Sequence, residues 1–298
     1  MREYDFYQKN TKKSVIALGF FDAVHVGHAK VLKTCVRLAK KLDSTPVAFT
    51  FLDNLSAFGK GDKLVSTYDE RVSKFAQIGI EEVLVAPCNS EFFSIEANRF
   101  LIKLKDDFNA VGIVCGEDFT FGAGGSGNIT LLNSFCSRYG ISLEIVDVIM
   151  QNGAKIGTRE VKTYLKDGKV IEANELLGYN YSIDGVVVKG RGDGKRYGVP
   201  TLNIDFPTTK IVPKVGVYAT NVIIDGLKYR AITNVGNHPT FDDDSANIET
   251  YVIDFDSDVY GKCVKIEFLT YLREVIKFDN VDQLKSQILK DVQTARCL

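Results

Sequence analysis

The chain predicts an α/β unit followed by an all-β unit: a doubly wound parallel sheet, then a small antiparallel barrel or sandwich with a closing helix. Three observations carry this. In the first half, apolar runs of strand length alternate with amphipathic runs of helix length, the pattern of a parallel sheet covered on both faces. Beyond about Tyr179, short β-rich runs follow one another, separated by turn residues such as Asp225-Gly226 and Tyr260-Gly261. The 298 residues also suffice for about two domains of roughly 100–200 residues each. The expected division is 1–180 and 181–298, with a helical connector ending the first domain.

Taken in order, residues 14–18 read as a buried strand. Over 26–42, Val31, Leu32, Cys35, Val36, Ala39 and Leu42 share one face at helical spacing. Residues 46–51 are a second strand. Thr67-Tyr68-Asp69-Glu70 is a capping box, and Gly79 ends the helix it opens. Runs 83–86, 111–115 and 141–148 are further strands, with helices at 94–105 and 129–139. Residues 161–177 read as the connector. The β-rich runs are 186–188, 217–224, 229–235, 248–255 and 264–269. Residues 281–295 close the chain as a helix with Leu284, Ile288, Leu289 and Val292 on one face.

Composition excludes several classes. A net charge of -1 argues against nucleic-acid and anionic-membrane partners, which demand a clustered basic excess. Residues 1–13 are charged and polar, unlike a secretory signal, and no apolar run is long enough to span a bilayer. The six cysteines are scattered without a C-x-x-C pair, and only three histidines are present. Free thiols and a cytoplasmic location are therefore expected, rather than a Cys/His zinc site.

Gly19-Phe20-Phe21-Asp22-Ala23-Val24-His25-Val26-Gly27-His28 follows the first strand and opens the first long helix. It places His25 and His28 beside a helix N-terminus, where anions are favoured. Imidazoles there can donate to phosphate oxygens as charge builds on a transferring nucleotidyl group. The pattern resembles the H-x-G-H signature of nucleotidylyltransferases. In its longer form it resembles the adenylyltransferase half of bacterial bifunctional FAD synthetases. Gly116-Glu117-Asp118-Phe119-Thr120-Phe121-Gly122 resembles that family's second motif. Gly122-Ala123-Gly124-Gly125-Ser126-Gly127 also satisfies G-x-G-x-x-G, with Asp147 downstream. A dinucleotide turn needs its first glycine directly after the strand, however, and here the strand ends at Cys115, so a simple loop is expected.

In the second half, Gly190-Arg191-Gly192-Asp193-Gly194-Lys195-Arg196-Tyr197-Gly198 is rich in glycine and cations and could wrap phosphates. Thr201 and Asn203, one residue apart, are hard oxygen donors that share a face if the chain is extended. Pro200-Thr201-Leu202-Asn203, Gly216-Val217-Tyr218, Asn234-Val235-Gly236 with Pro239-Thr240, Glu249, Asp258-Val259-Tyr260-Gly261 and Leu272-Arg273 through Lys277-Phe278 occur in order. Together they resemble riboflavin kinase from about 182 to 295.

The resemblance implies a nucleotidylyltransferase domain followed by a kinase barrel, with FMN made first and then joined to AMP to give FAD. It implies ATP as co-substrate and Mg²⁺ as cofactor. Glu249 takes the place of the general base; His25 and His28 take the place of the groups that steady the triphosphate. Gly19, Gly27, Asp118, Thr158, Arg159 and Lys162 would meet ATP in the first domain; Gly190, Gly192, Lys195, Gly198 and Thr201 would meet it in the second. Phe119, Phe121 and Arg273 would meet flavin, and Thr201 and Asn203 the metal.

The chain departs from the family at Phe20 (usually asparagine), Ala23 (usually glycine), 51–55 and Tyr251 (usually histidine). The Ile-Ser-Ser-Thr-x-Ile-Arg segment reads Ile156-Gly157-Thr158-Arg159-Glu160-Val161-Lys162, and lysine does not copy an arginine fork. The alternative is a riboflavin kinase whose first domain only binds flavin or nucleotide. An NAD(P) oxidoreductase and a flavin-sensing regulator are the remaining alternatives, both disfavoured by the features above.

Overall fold

The computed structural model describes residues 1–52, 63–151, 154–190, 199–237 and 246–298. The chain divides into two compact units, Met1–Thr158 and Arg159–Leu298.

The first unit is built on β1 (Arg2–Asp5), β2 (Ser14–Leu18), β3 (Thr45–Phe51), β4 (Glu82–Ala86), β5 (Ala110–Gly116) and β6 (Ser142–Val146). Every pairing is parallel, in the order β1-β4-β3-β2-β5-β6. Successive residues of β2 point to opposite faces, as a strand's period of two requires. Ile16 and Leu18 join one buried cluster with Leu84, Leu101 and Phe135. Val15 and Ala17 join another with Leu32 and Phe75. The sheet is therefore covered on both sides, by α1 (Val26–Lys41), α2 (Tyr68–Ile78), α3 (Ser90–Phe93), α4 (Ala97–Asp107) and α5 (Ile129–Tyr139).

Some elements differ from the sequence expectation, each for a local reason. The polar N-terminus contains β1, an edge strand that buries only Tyr4 of its four residues. The helix expected at 94–105 is α4, started by extended Glu96, and a separate short helix α3 capped by Asn89 precedes it. The connector expected at 161–177 is two helices, α6 (Thr158–Lys166) and α7 (Val170–Leu177), parted where Gly168 turns left-handed at φ 78°. A hairpin of β7 (Met150–Gln151) and β8 (Ala154–Lys155) precedes α6.

The second unit is a closed antiparallel barrel. Its strands are β9 (Ser182–Val188), β10 (Leu202–Asp205), β11 (Gly216–Ile224), β12 (Leu227–Asn237), β13 (Ala246–Val252) and β14 (Cys263–Arg273), ordered β10-β13-β12-β11-β14-β9. Pairing of β9 with β10 completes the ring, so the barrel replaces the sandwich. Its core carries a hydroxyl chain, Thr220 to Thr233 at 2.8 Å and Thr233 to Thr250 at 2.9 Å, which satisfies three buried polar groups. The closing helix α8 (Val281–Arg296) seats Ala295 against Val217, Ala219, Ile232 and Ile253. Among the described residues, no helix is long and apolar enough to cross a membrane. Among the described residues, none of the six cysteines is joined in a disulfide.

Candidate functional site

In the first unit the strand order reverses between β2 and β5, which are neighbours although the chain visits β3 and β4 between them. Loops leaving the carboxyl ends of strands at such a point form a ligand crevice. The segment after β2 carries His25, which caps α1, and His28 in the first turn of α1; the segment after β5 carries Asp118.

His25 is the N-cap of α1. Its Nδ1 accepts from the amides of Gly27 at 3.1 Å and His28 at 3.3 Å. An accepting Nδ1 puts the proton of the neutral ring on Nε2, leaving that nitrogen as a donor. The His28 ring stacks on His25 at a centroid distance of 3.7 Å and meets the edge of Phe21 at 5.3 Å. Burial pushes the His25 imidazole down to about 4, with Lys155 acting in the same direction. Burial also holds His28 well below the usual range, and the neighbouring His25 adds to this. Both rings are thus neutral hydrogen-bonding groups at neutral pH. A hydrogen bond between His28 and the Asp22 backbone opposes the His28 shift.

The loop that holds them is tightly folded. Phe21, Ala23 and Val24 all lie at positive φ (57°, 78° and 39°), a conformation that non-glycine residues adopt only at a cost. At Gly27 an added Cβ would lie 3.0 Å from the His25 ring. Gly19 sits under the ring of Phe21. Buried Asp22 accepts from the amides of Val65 at 3.0 Å and Ser66 at 2.9 Å. Thr158 donates its hydroxyl hydrogen to the Asp22 carbonyl at 3.0 Å, bringing the start of α6 to the histidine loop.

Asp118 is exposed and pairs with Lys155 of β8 at 2.5 Å. Lys155 was not singled out from the sequence, yet its charge acts on His25. Phe119 and Phe121 stack on each other at 5.8 Å; Phe121 is buried in the core and Phe119 packs partly buried against it. Arg159 is exposed and Lys162 half-buried. The glycine loop forms a closed bridge, with Phe121 and Gly127 exchanging backbone hydrogen bonds at 2.8 and 3.1 Å. The following helix is capped by Asn128 instead. This loop therefore does not present a dinucleotide turn.

In the second unit a cavity of about 290 Å³ opens against the barrel. Val217, Ile232, Ile276, Phe278, Leu284 and Ile288 give it apolar walls, and Thr201, Asn234, Glu249, Tyr251 and Arg273 supply polar groups. Glu249 is half-buried, and Asn247 donates to its Oε1 at 2.8 Å. It lies level with Asn203 of β10 on one side and Asn234 of β12 on the other. Directly paired residues share a face of the sheet, so these three side chains face the same way. At Gly190 an added Cβ would come within 2.3 Å of the Asn203 amide, so a larger residue there would displace that side chain. Gly192, Lys195, Gly198, Pro239 and Thr240, with 53–55 of the departing segment, lie outside the described residues.

Arg273 lines the cavity with its charge engaged. It donates from Nη2 to Asp291 of α8 at 2.7 Å and from Nε at 3.1 Å, while Gln287 donates to the same carboxylate at 2.9 Å. Asp291 reads as a surface charge in the sequence, but it is buried and anchors α8 as a wall of the cavity.

A family model described as FAD synthetase matches residues 7–160, and one described as riboflavin kinase matches 177–298. The chain is 34% identical to the bifunctional riboflavin kinase/FMN adenylyltransferase of Bacillus subtilis, over 95% of this chain and 92% of that protein. It is 31% identical to the protein of the same name from Listeria monocytogenes, over 95% and 91%. A crystal structure described as a macrolide-efflux protein from Streptococcus pneumoniae superposes with a TM-score of 0.92 at 30% identity, covering 99% of each chain.

Proposed function

The chain belongs to the bifunctional riboflavin kinase/FMN adenylyltransferase family, and from that premise we propose how its two units divide the chemistry. The enzyme phosphorylates riboflavin with ATP to give FMN, then transfers an adenylyl group from ATP to FMN, giving FAD and pyrophosphate. Relatives named for both activities match 95% of this chain, so a kinase with an idle first domain is the weaker reading. We keep 180/181 as the working domain boundary. We assign the reactions to the cytoplasm, where thiols such as these six stay reduced.

One observation supports the division best: each unit carries the groups its own nucleophile requires. In the barrel the nucleophile is the ribityl hydroxyl, which must lose a proton. Glu249, at the polar end of an apolar cavity of flavin-accepting character, is the base we assign to it. Arg273, held by Asp291, borders the flavin. Thr201 and Asn203 present a hydroxyl and an amide beside that carboxylate, a hard-oxygen set that suits Mg²⁺. When bound, the ion would neutralise charge on the phosphate oxygens. Gly190, Gly192, Lys195 and Gly198 are assigned to the nucleotide.

In the first unit the nucleophile is the FMN phosphate, already ionised, so no base is needed. His25 and His28 are assigned to hold the triphosphate and to donate as charge builds at the α-phosphorus. Gly19 and Gly27, which leave room for the Phe21 and His25 rings, are assigned to the nucleotide side. Asp118, Thr158, Arg159 and Lys162 are assigned to ATP, and Phe119 and Phe121 to the flavin side.

The test is a time course of the purified chain with riboflavin, excess ATP and Mg²⁺, with flavins separated chromatographically. FMN appearing first and FAD following is the expected result. FMN accumulating without FAD, even with pyrophosphatase, would return the kinase-only reading, and no FMN would break the assignment.

A further inference from the structure

Arg71 is fully buried at the N-terminal end of α2. Local physics does not favour it there. A cation at a helix N-terminus opposes the helix dipole, and burying a guanidinium is a poor source of stability compared with an apolar side chain of similar volume. The reason for the residue must be tertiary. Its Nη1 donates to the carbonyl of Ser66 at 3.0 Å and its Nη2 to the carbonyl of Phe51 at 2.5 Å. Its guanidinium lies 5.0 Å from the centre of the Phe20 ring. Burial lowers its affinity for the proton, and the Asp22 carboxylate is the leading charge that opposes this.

These contacts reach three separate segments at the carboxyl edge of the sheet. Phe51 ends β3, Ser66 precedes α2, and Phe20 and Asp22 belong to the histidine loop. The Ser66 residue whose carbonyl Arg71 holds also donates its amide to Asp22. Asp22 in turn stands three residues before His25, at the root of a loop with three non-glycine residues at positive φ. Such a loop keeps its shape only if its surroundings over-determine it.

Resting on the adenylyl-transfer reading of the first unit, we propose that Arg71 is a positioning residue for that reaction: its planar fork ties the end of β3 and the segment before α2 to the Asp22 loop, and so fixes His25 and His28 against the triphosphate.

Arg71→Met and Arg71→Lys in the full chain test this, with FMN adenylylation assayed from supplied FMN. Riboflavin phosphorylation in the same sample controls for folding of the barrel, and thermal unfolding for folding of the first unit. Methionine preserves volume without the fork; lysine preserves charge but cannot span two carbonyls. Arg71→Met is expected to lower kcat for FAD formation by about 10²-fold, the scale of a misplacement of about 1 Å. KM for ATP and FMN should change little, and kinase turnover should be intact. Arg71→Lys should recover part of the lost kcat. If Arg71→Met unfolds the first unit, Arg71→Lys decides: a folded lysine variant with wild-type kcat overturns the proposal. So does a change confined to KM, or methionine matching arginine. Absence of FAD from the unmutated chain would remove the underlying reading instead, and the wild-type control reports that separately.

Discussion

The two candidate sites of this chain have opposite electrostatic designs. In the first unit the central groups are two stacked histidines, both kept neutral by burial, on a loop with three non-glycine residues at positive φ. In the second, a half-buried carboxylate stands on a regular strand, flanked in register by asparagines, at the edge of an apolar cavity. The difference follows from the nucleophiles. A phosphate brings its own negative charge and needs hydrogen-bond donors but no base. A hydroxyl needs a base. The lesson is that site charge tracks what the incoming group lacks.

The sharpest way to break this comparison is Glu249→Gln. It should lower riboflavin phosphorylation by about 10²- to 10⁴-fold, the range for loss of a general base, while FAD formation from supplied FMN persists. Equal loss of both activities would mean the sites are not independent. His28→Ala should do the reverse, cutting FAD formation by about 10²- to 10³-fold as for a lost transition-state donor, with FMN production unchanged. Unaltered FAD synthesis would remove the histidines from the mechanism.

Acidity separates the units on a finer scale. His25 is held down to about 4 in the folded chain, whereas an unfolded histidine takes up its proton near pH ~6.5. Between these values the unfolded state binds a proton that the folded state refuses. Stability of the first unit should therefore fall as pH drops from about 6.5 toward 4, and should not respond to this group above that window. Urea midpoints for wild type and His25→Gln at pH 7.5 and 5 would show it, since glutamine should lessen the difference. The smallest effect is expected at Ala23, buried at φ 78°. Ala23→Gly relieves a left-handed alanine and should raise the melting temperature of the first unit by roughly 2 °C; a fall would mean that its methyl group packs better than its backbone is strained.

The sequence revealed the doubly wound sheet because its central strands are buried on both faces and read as continuous apolar runs, as at 14–18 and 46–51. It concealed β1, whose exposed edge carries polar residues. The choice between barrel and sandwich rested on pairing of β9 with β10, which no local pattern encodes. Among candidate residues, His25, His28, Asp118, Thr201, Asn203 and Glu249 stand in ordered motifs and could be named directly. Lys155, Arg71 and Asp291 could not. Each is a single charged side chain whose partner lies elsewhere in the chain: Lys155 finds Asp118 37 positions away, and Asp291 finds Arg273 across 18. For such residues the sequence pattern shows no partner, and only the fold brings one; for Arg71 and Asp291 it also buries the charge.

The Arg273–Asp291 pair has a consequence for how the chain comes into being. A ribosome delivers residues in order, and domains tend to fold as they emerge. The parallel sheet and both loops at its switch point are made once residue 158 has been added. The cavity of the barrel, the proposed flavin site, gains its last wall only when α8 arrives to close the ion pair. During translation, the unit that performs the second reaction is therefore assembled before the unit that performs the first.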